Sequence, residues 1–125
     1  MLIERAQESL RAAQLCLEAE LVNSAASRAY YAMFQAAQVA LEVAGIARAQ
    51  WSHPTLQAAF TASLIRRRKI YPAALRNHLS GCLAVRQAAD YGTAGVSRTV
   101  AHRTVRRAAA FVSTVREGTK HGPTT

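Results

Sequence analysis

Apolar residues recur every three or four positions along most of the chain, which is the spacing of one face of an α-helix. No segment alternates polar and apolar residues, so the pattern predicts no β-strand. Helices are predicted over residues 2–20, 23–44, 53 to about 65, 73–91 and 96–116. We therefore expect an all-α fold, an antiparallel four-helix bundle with one shorter accessory helix.

Residues at the predicted helix boundaries support this division. Asn23 or Ser24 is expected to cap the second helix, because short polar side chains accept the free N–H groups of a first turn. Ser52 is expected to cap the third helix, with Pro54 in its first turn. Residues 66–69, which read RRRK, are interpreted as a helix end and a solvated connector rather than a dedicated binding patch.

The length of 125 residues fits one domain with a single core. Residues 1–117 are predicted to form a single helical domain, and residues 118–125 a disordered tail with nothing to bury. No stretch is long and apolar enough to span a membrane, and the first residues lack the apolar run of a signal peptide, so we expect a cytoplasmic protein.

Cys16 and Cys82 stand singly, which favours reduced core thiols over a metal site.

Positive charge is concentrated in the second half of the chain. The formal net charge is +9, and residues 66–125 hold 12 Lys and Arg against two Asp and Glu, whereas residues 1–65 are close to neutral. Such asymmetry indicates a polyanionic partner, either a nucleic acid or an acidic protein surface.

The fifth predicted helix carries a basic face. Arg98, His102 and Arg106 fall on one side of it, and Arg103 and Arg107 fall beside them. No Asp or Glu lies within this helix, so like charges meet at i,i+4 spacing, which is unfavourable in an isolated helix. We expect these five residues to bind RNA phosphates; a merely solvated basic face is the alternative.

Two further segments place Arg and Tyr side chains on Ala-rich helices. Residues 27–34 read SRAYYAMF, and residues 86–92 read RQAADYG. Arg and Tyr are costly to bury unless their polar ends find partners, so two such segments in one small domain indicate a polar site shared between helices. Two ordinary packing seams are the alternative, with Arg86 and Asp90 forming only an i,i+4 ion pair at a helix end.

These two segments and HPTLQAAF at residues 53–60 occur in the order, and at about the separations, found in HEPN domains. Over about residues 1–117 the chain resembles that family, and more closely its small single-domain prokaryotic branch. The resemblance implies a bundle that forms a homodimer or higher oligomer and, in many members, cleaves RNA without a metal in a cleft between protomers. It also implies a role in a toxin–antitoxin or related defence module, with a minimal nucleotidyltransferase encoded nearby as the partner.

In the active HEPN families, an Arg that stabilises the phosphate is followed five positions later by a His that transfers protons. Arg86 matches that Arg, but Tyr91 stands at the fifth position and Asp90 precedes it. A tyrosine titrates near pH ~10 and an aspartate repels a phosphate, so both are poor replacements for the His. The resemblance makes Arg86, Asp90 and Tyr91 the candidate catalytic residues. Arg28 and Tyr31 are candidate contacts to nucleic acid.

Two functions remain open at this stage. The first is an RNA- or nucleotide-binding HEPN component of a defence module, with at most a weak or degenerate metal-independent endoribonuclease activity. The second is a non-catalytic assembly bundle that docks an acidic protein partner. The chain has no phosphate-cradling glycine loop and no Cys/His metal spacing. No cofactor or metal is therefore expected.

Overall fold

The structure, a computed structural model, describes residues 3–119, and within that range it contains helices but no strand. The helices are α1 (Ile3–Glu18), α2 (Val22–Val43), α3 (His53–Ala59), α4 (Ala74–Tyr91) and α5 (Arg98–Thr119), and α3 continues directly into a π-helical segment (Phe60–Arg67). The prediction of an all-α bundle with one short accessory helix is confirmed. None of these helices combines the length and the apolar character needed to cross a membrane.

The central helix of the bundle is α2, since α1, α4 and α5 all pack against it. Alanines allow this close approach, because a side chain that ends at Cβ lets neighbouring helices come near on several sides. The fully buried alanines of α2 include Ala25, Ala29, Ala32 and Ala36. The two tyrosines of α2, Tyr30 and Tyr31, are therefore held between helices rather than on an open face.

A stack of three aromatic rings joins the π-helical segment, α5 and the residues just before α4. The ring centre of Phe60 lies 5.5 Å from that of Phe111 in α5 and 5.6 Å from that of Tyr71, which precedes α4. Phe60 and Phe111 are both fully buried. The first residue of the π-helical segment is thus a central core residue.

The predicted cap of the third helix is confirmed, and that of the second is wrong. The Ser52 hydroxyl accepts the backbone N–H of Thr55, as a capping residue does. Helix α2 instead begins at Val22, and its N-cap position is held by Leu21, which has no capping side chain.

Asn23 has a different role from the predicted one. Its side-chain oxygen accepts the backbone N–H of Val96 at 2.9 Å and so binds the loop that leads into α5. Gly95 permits this contact, because its φ is +69° and a Cβ atom there would lie 2.6 Å from the same oxygen. The side chain is thus engaged with a distant loop and is not available to cap its own helix.

The predicted tail begins too early. Helix α5 continues through Thr119, so residues 118 and 119 are helical. Residues 120–125 of the predicted tail lie outside the described residues.

Residues 66–69 are exposed and end the π-helical segment, as predicted. Arg68, however, donates a hydrogen bond to the backbone oxygen of Ala44 at 2.9 Å, so this connector is not simply solvated.

Both cysteines are free thiols. Cys82 is buried in α4, and this burial raises the pKa of its thiol to about 12, so the group stays protonated. Cys16 is only half-buried, at the edge of the core. Cys82 therefore lies in the core as predicted, whereas Cys16 lies at its edge.

Candidate functional site

The Arg86 guanidinium lies among three tyrosine rings where α4 packs against α2. Its Cζ atom is 5.3 Å from the ring centre of Tyr30, 5.7 Å from that of Tyr31 and 5.8 Å from that of Tyr91. Its Nη2 atom also donates a hydrogen bond to the Tyr31 hydroxyl at 3.3 Å. Aromatic faces carry partial negative charge and attract a cation, so these rings hold the guanidinium in place. The two Arg- and Tyr-bearing segments of the sequence are therefore in contact.

Asp90 forms an ion pair with the same guanidinium. Its Oδ2 atom lies 3.1 Å from Arg86 Nε, and the two side chains are 28% and 23% exposed. Burial lowers the pKa of Arg86, but Tyr31, Tyr91 and Asp90 raise it by more, so the net shift is upward and the side chain stays cationic. Asp90 thus supplies an internal anion to Arg86, at a place that an incoming phosphate would have to share.

A second guanidinium lies on the Tyr31 ring. The Cζ atom of Arg28 is 4.7 Å from its centre, so one ring contacts both Arg28 and Arg86. Tyr91 is 75% exposed. We call Arg28, Tyr31, Arg86, Asp90 and Tyr91 the Arg86 cluster.

A groove of about 560 Å³ runs beside this cluster, between the start of α2 and the end of α4. Arg28, Asp90 and Tyr91 line it together with Ser24 and Ser27. The groove therefore offers hydroxyl donors, one guanidinium and one exposed aromatic ring within reach of a single ligand. Such a set suits a nucleotide unit, which has both a phosphate and a flat base.

His53 lies against the ring of Tyr30, which the Arg86 guanidinium also contacts. Its Nδ1 atom is 3.4 Å from the Tyr30 hydroxyl, and its Nε2 atom is 3.1 Å from the side-chain oxygen of Gln57. A ring protonated on Nε2 satisfies both contacts, with the Tyr30 hydroxyl donating to Nδ1. Burial lowers the pKa of His53, and the Gln57 contact only partly offsets it, so the ring is neutral at neutral pH. The contact between His53 and Tyr30 joins residues 23 positions apart and left no signal in the sequence.

The other described histidines are His78 and His102. His78 lies eight positions before Arg86 on α4, which is about 12 Å along the helix axis. Burial and then the charge of Arg107 lower the pKa of His78, so it belongs to the surface between α4 and α5. His102 is exposed on α5. The described contacts of Arg86 are thus with tyrosines and Asp90.

The basic face of α5 is exposed along its length, as the sequence predicted. Its members Arg98, His102 and Arg106 border a shallow groove of about 390 Å³, and Arg103 and Arg107 are exposed beside them. Arg98 forms an ion pair with Glu20, between α1 and α2, at 3.0 Å. Helical spacing could not predict this pair, because its partner comes from another part of the chain.

No three His, Cys, Asp or Glu side chains within residues 3–119 are placed so that they could hold a metal ion together.

In a comparison with known families, the model of the HEPN domain matches residues 1–118. Comparison with curated proteins gives no match.

Proposed function

This chain belongs to the HEPN domain family, and on that basis we propose that it binds RNA at the Arg86 cluster as a component of a toxin–antitoxin or related defence module. One observation carries the proposal: the Tyr31 ring contacts the guanidinium groups of both Arg28 and Arg86, beside a groove that Arg28 and the exposed Tyr91 line. Guanidinium groups bind phosphates in a bidentate manner, and tyrosine rings stack on unpaired bases.

The basic face of α5 extends this footprint. Asn23 lines the groove and also binds the N–H of Val96, two residues before Arg98. The start of the basic face therefore adjoins the groove. An RNA strand that leaves the groove meets further cations on α5, and each phosphate contact releases counterions and adds to the affinity.

Self-association belongs to the same proposal. In the HEPN resemblance, the RNA cleft forms between two protomers, and in this chain the Arg86 cluster lies at the surface with Tyr91 largely exposed. A second copy that covers this ring would double the number of cations around the groove. The HEPN resemblance is also the basis for proposing a minimal nucleotidyltransferase as the partner protein.

The proposal is tested by substituting the two charges of the ion pair separately. Arg86→Ala is expected to weaken the binding of a single-stranded RNA oligonucleotide by at least about tenfold, because it removes charge-assisted hydrogen bonds to phosphate. Asp90→Asn is expected to strengthen binding by about twofold to fivefold, because it removes the internal anion from Arg86. Fluorescence anisotropy at constant salt measures both changes.

Glu8→Gln is the matched control for Asp90→Asn, since Glu8 is exposed on α1 and the exchange alters the net charge equally. Equal gains from Glu8→Gln and Asp90→Asn would mean that only net charge matters. Unchanged binding by Arg86→Ala would place the RNA elsewhere on the protein.

Cleavage of RNA is expected to be negligible under metal-free conditions. General acid–base catalysis contributes about 10²–10⁴-fold to rates, and the contacts of Arg86 provide a carboxylate and tyrosines where active relatives have a His. The assay compares the wild type with Arg86→Ala and Tyr91→Phe in the presence of a chelator, with folding checked by circular dichroism. Equal, negligible cleavage by all three is the expected result. Robust wild-type cleavage that either substitution abolishes would instead make Arg86 or Tyr91 a catalytic residue.

A further inference from the structure

A second groove, of about 520 Å³, lies along α3, the π-helical segment and the first turn of α4. The residues of interest on it are Gln57, Thr61, Arg66 and Arg76. π-Helical turns are rare and occur frequently at functional sites. This groove shares no lining residue with the groove beside the Arg86 cluster.

The charge on this groove is one-sided. Arg66 comes from the end of the π-helical segment and Arg76 from the first turn of α4, so two separate elements each contribute one guanidinium. The chain has no Asp or Glu between Glu42 and Asp90, and no carboxylate lines the groove. Helix α4 also begins without a capping side chain, which leaves the positive end of its dipole beside Arg76. The electrostatic field in the groove therefore favours an anion.

Two uncharged side chains on the groove, Thr61 and Gln57, have hydrogen-bond donors without a described acceptor. Thr61 is only 9% exposed, and its hydroxyl has no hydrogen-bond partner among the described residues. Buried hydroxyls are nearly always paired, so an unpaired one needs an explanation. The side-chain oxygen of Gln57 is taken by His53, which leaves the amide nitrogen of Gln57 as its free group. A ligand rich in acceptor oxygens would satisfy the Gln57 amide directly, and the Thr61 hydroxyl once rotation about χ1 turns it toward the groove.

We propose that this groove binds a phosphoryl group, with Arg66 and Arg76 as its charged donors and Thr61 as a neutral one. Two guanidinium forks and a hydroxyl match the three terminal oxygens of a phosphate. The phosphoryl group comes either from a free nucleotide or from an RNA backbone, and the two sources share this chemistry. This groove shares no residue with the Arg86 cluster, so its proposal can be tested independently of the RNA site proposed there.

Calorimetric titration with inorganic pyrophosphate at low ionic strength tests the charged donors. The double variant Arg66→Ala/Arg76→Ala is expected to bind pyrophosphate at least about tenfold more weakly than the wild type. The matched control is Arg48→Ala/Arg67→Ala, which removes the same charge from exposed positions that do not line the groove. This control is expected to stay within about twofold of the wild type. Equal losses in the two double variants, or no binding by the wild type, would overturn the proposal.

Thr61→Val tests the hydroxyl without disturbing the shape of the residue. The exchange removes an unpaired buried hydroxyl, so the melting temperature is expected to stay the same or rise, while the pyrophosphate affinity falls by about threefold to tenfold. A purely structural Thr61 would leave the affinity unchanged, and that result would contradict its role as a ligand donor.

Competition identifies the source of the phosphoryl group. Displacement of pyrophosphate by ATP but not by a single-stranded RNA oligonucleotide would identify a free nucleotide, and the reverse would identify the RNA backbone. Loss of RNA binding by Arg86→Ala tests the Arg86 cluster, whereas loss of pyrophosphate binding by Arg66→Ala/Arg76→Ala tests this groove. Failure of the Arg86 site and failure of this groove would therefore give different patterns.

Discussion

The double exchange Arg103→Glu/Arg107→Glu is expected to weaken the binding of single-stranded RNA by more than tenfold, on the order of a hundredfold, at low salt. Both side chains are exposed on α5, four positions apart, so both can meet phosphates of one strand. The slope of log affinity against log salt concentration should also become shallower by about 0.7 for each phosphate that the protein no longer neutralises, or about 1.4 for two. A salt series by fluorescence anisotropy measures both quantities.

The matched control is Arg48→Glu/Arg67→Glu, which changes the net charge by the same amount at exposed positions outside α5. We expect this control to lower the affinity much less and to leave the salt slope nearly unchanged. If the α5 variant binds RNA as the wild type does, the basic face of α5 is not part of the footprint. A larger loss in the control would move the footprint toward residues 66–69.

Phe111→Ala is expected to lower the free energy of unfolding by about 3–5 kcal/mol. Phe111 is fully buried and stacks on Phe60, which in turn stacks on Tyr71, so the truncation leaves a cavity where α5, the π-helical segment and the start of α4 meet. Such a loss is a large part of the total stability of about 5–15 kcal/mol that is usual for one domain. Urea denaturation followed by circular dichroism measures it.

Ser113→Ala serves as the control on the same helix, since Ser113 is exposed and its exchange should change the free energy of unfolding by less than about 0.5 kcal/mol. Phe111→Leu should fall between the two, because it keeps most of the apolar volume. A loss below about 1 kcal/mol for Phe111→Ala would show that the three-ring stack is not a packed part of the core.

Periodicity was sufficient to predict the helices because apolar spacing directly reports which face of a helix is buried. Phe60 and Leu64 show both the strength and the limit of this signal. Their spacing places both on the apolar face of the predicted third helix, and both are fully buried. The π-helical winding that carries them was not predicted, because two apolar residues four positions apart can share a buried face in an α-helix and in a π-helix alike.

Contacts between distant segments account for most of what the sequence could not predict. Asn23 has the residue type of a helix cap and lies near the start of a helix, yet it binds Val96, which is 73 positions away. Arg98 has no acidic neighbour on its own helix, yet it pairs with Glu20. Helix propensity and i,i+4 spacing describe only local partners, so neither contact has a local signature.

The candidate site could be predicted in part. The burial cost of Arg and Tyr correctly brought residues 27–34 and 86–92 together, because Arg86 needs partners and Tyr31 provides one. The sequence left open whether Asp90 only closes a helix end. In the structure, Asp90 and the tyrosine contacts share one guanidinium, so the ion pair and the shared polar site are not exclusive alternatives. The contact between Tyr30 and His53 could not be predicted from the sequence, because the fold brings together two residues that are 23 positions apart.

The proposed RNA site is tested most directly by titrating ¹⁵N-labelled protein with a single-stranded RNA oligonucleotide and following the backbone amide signals by NMR. We expect the largest shifts in residues 27–31, in residues 86–92 and along the exposed face of α5, and we expect them to weaken together as salt is raised. Signals of the Arg86 cluster that stay unchanged while other parts of the protein respond to RNA would contradict the proposed site.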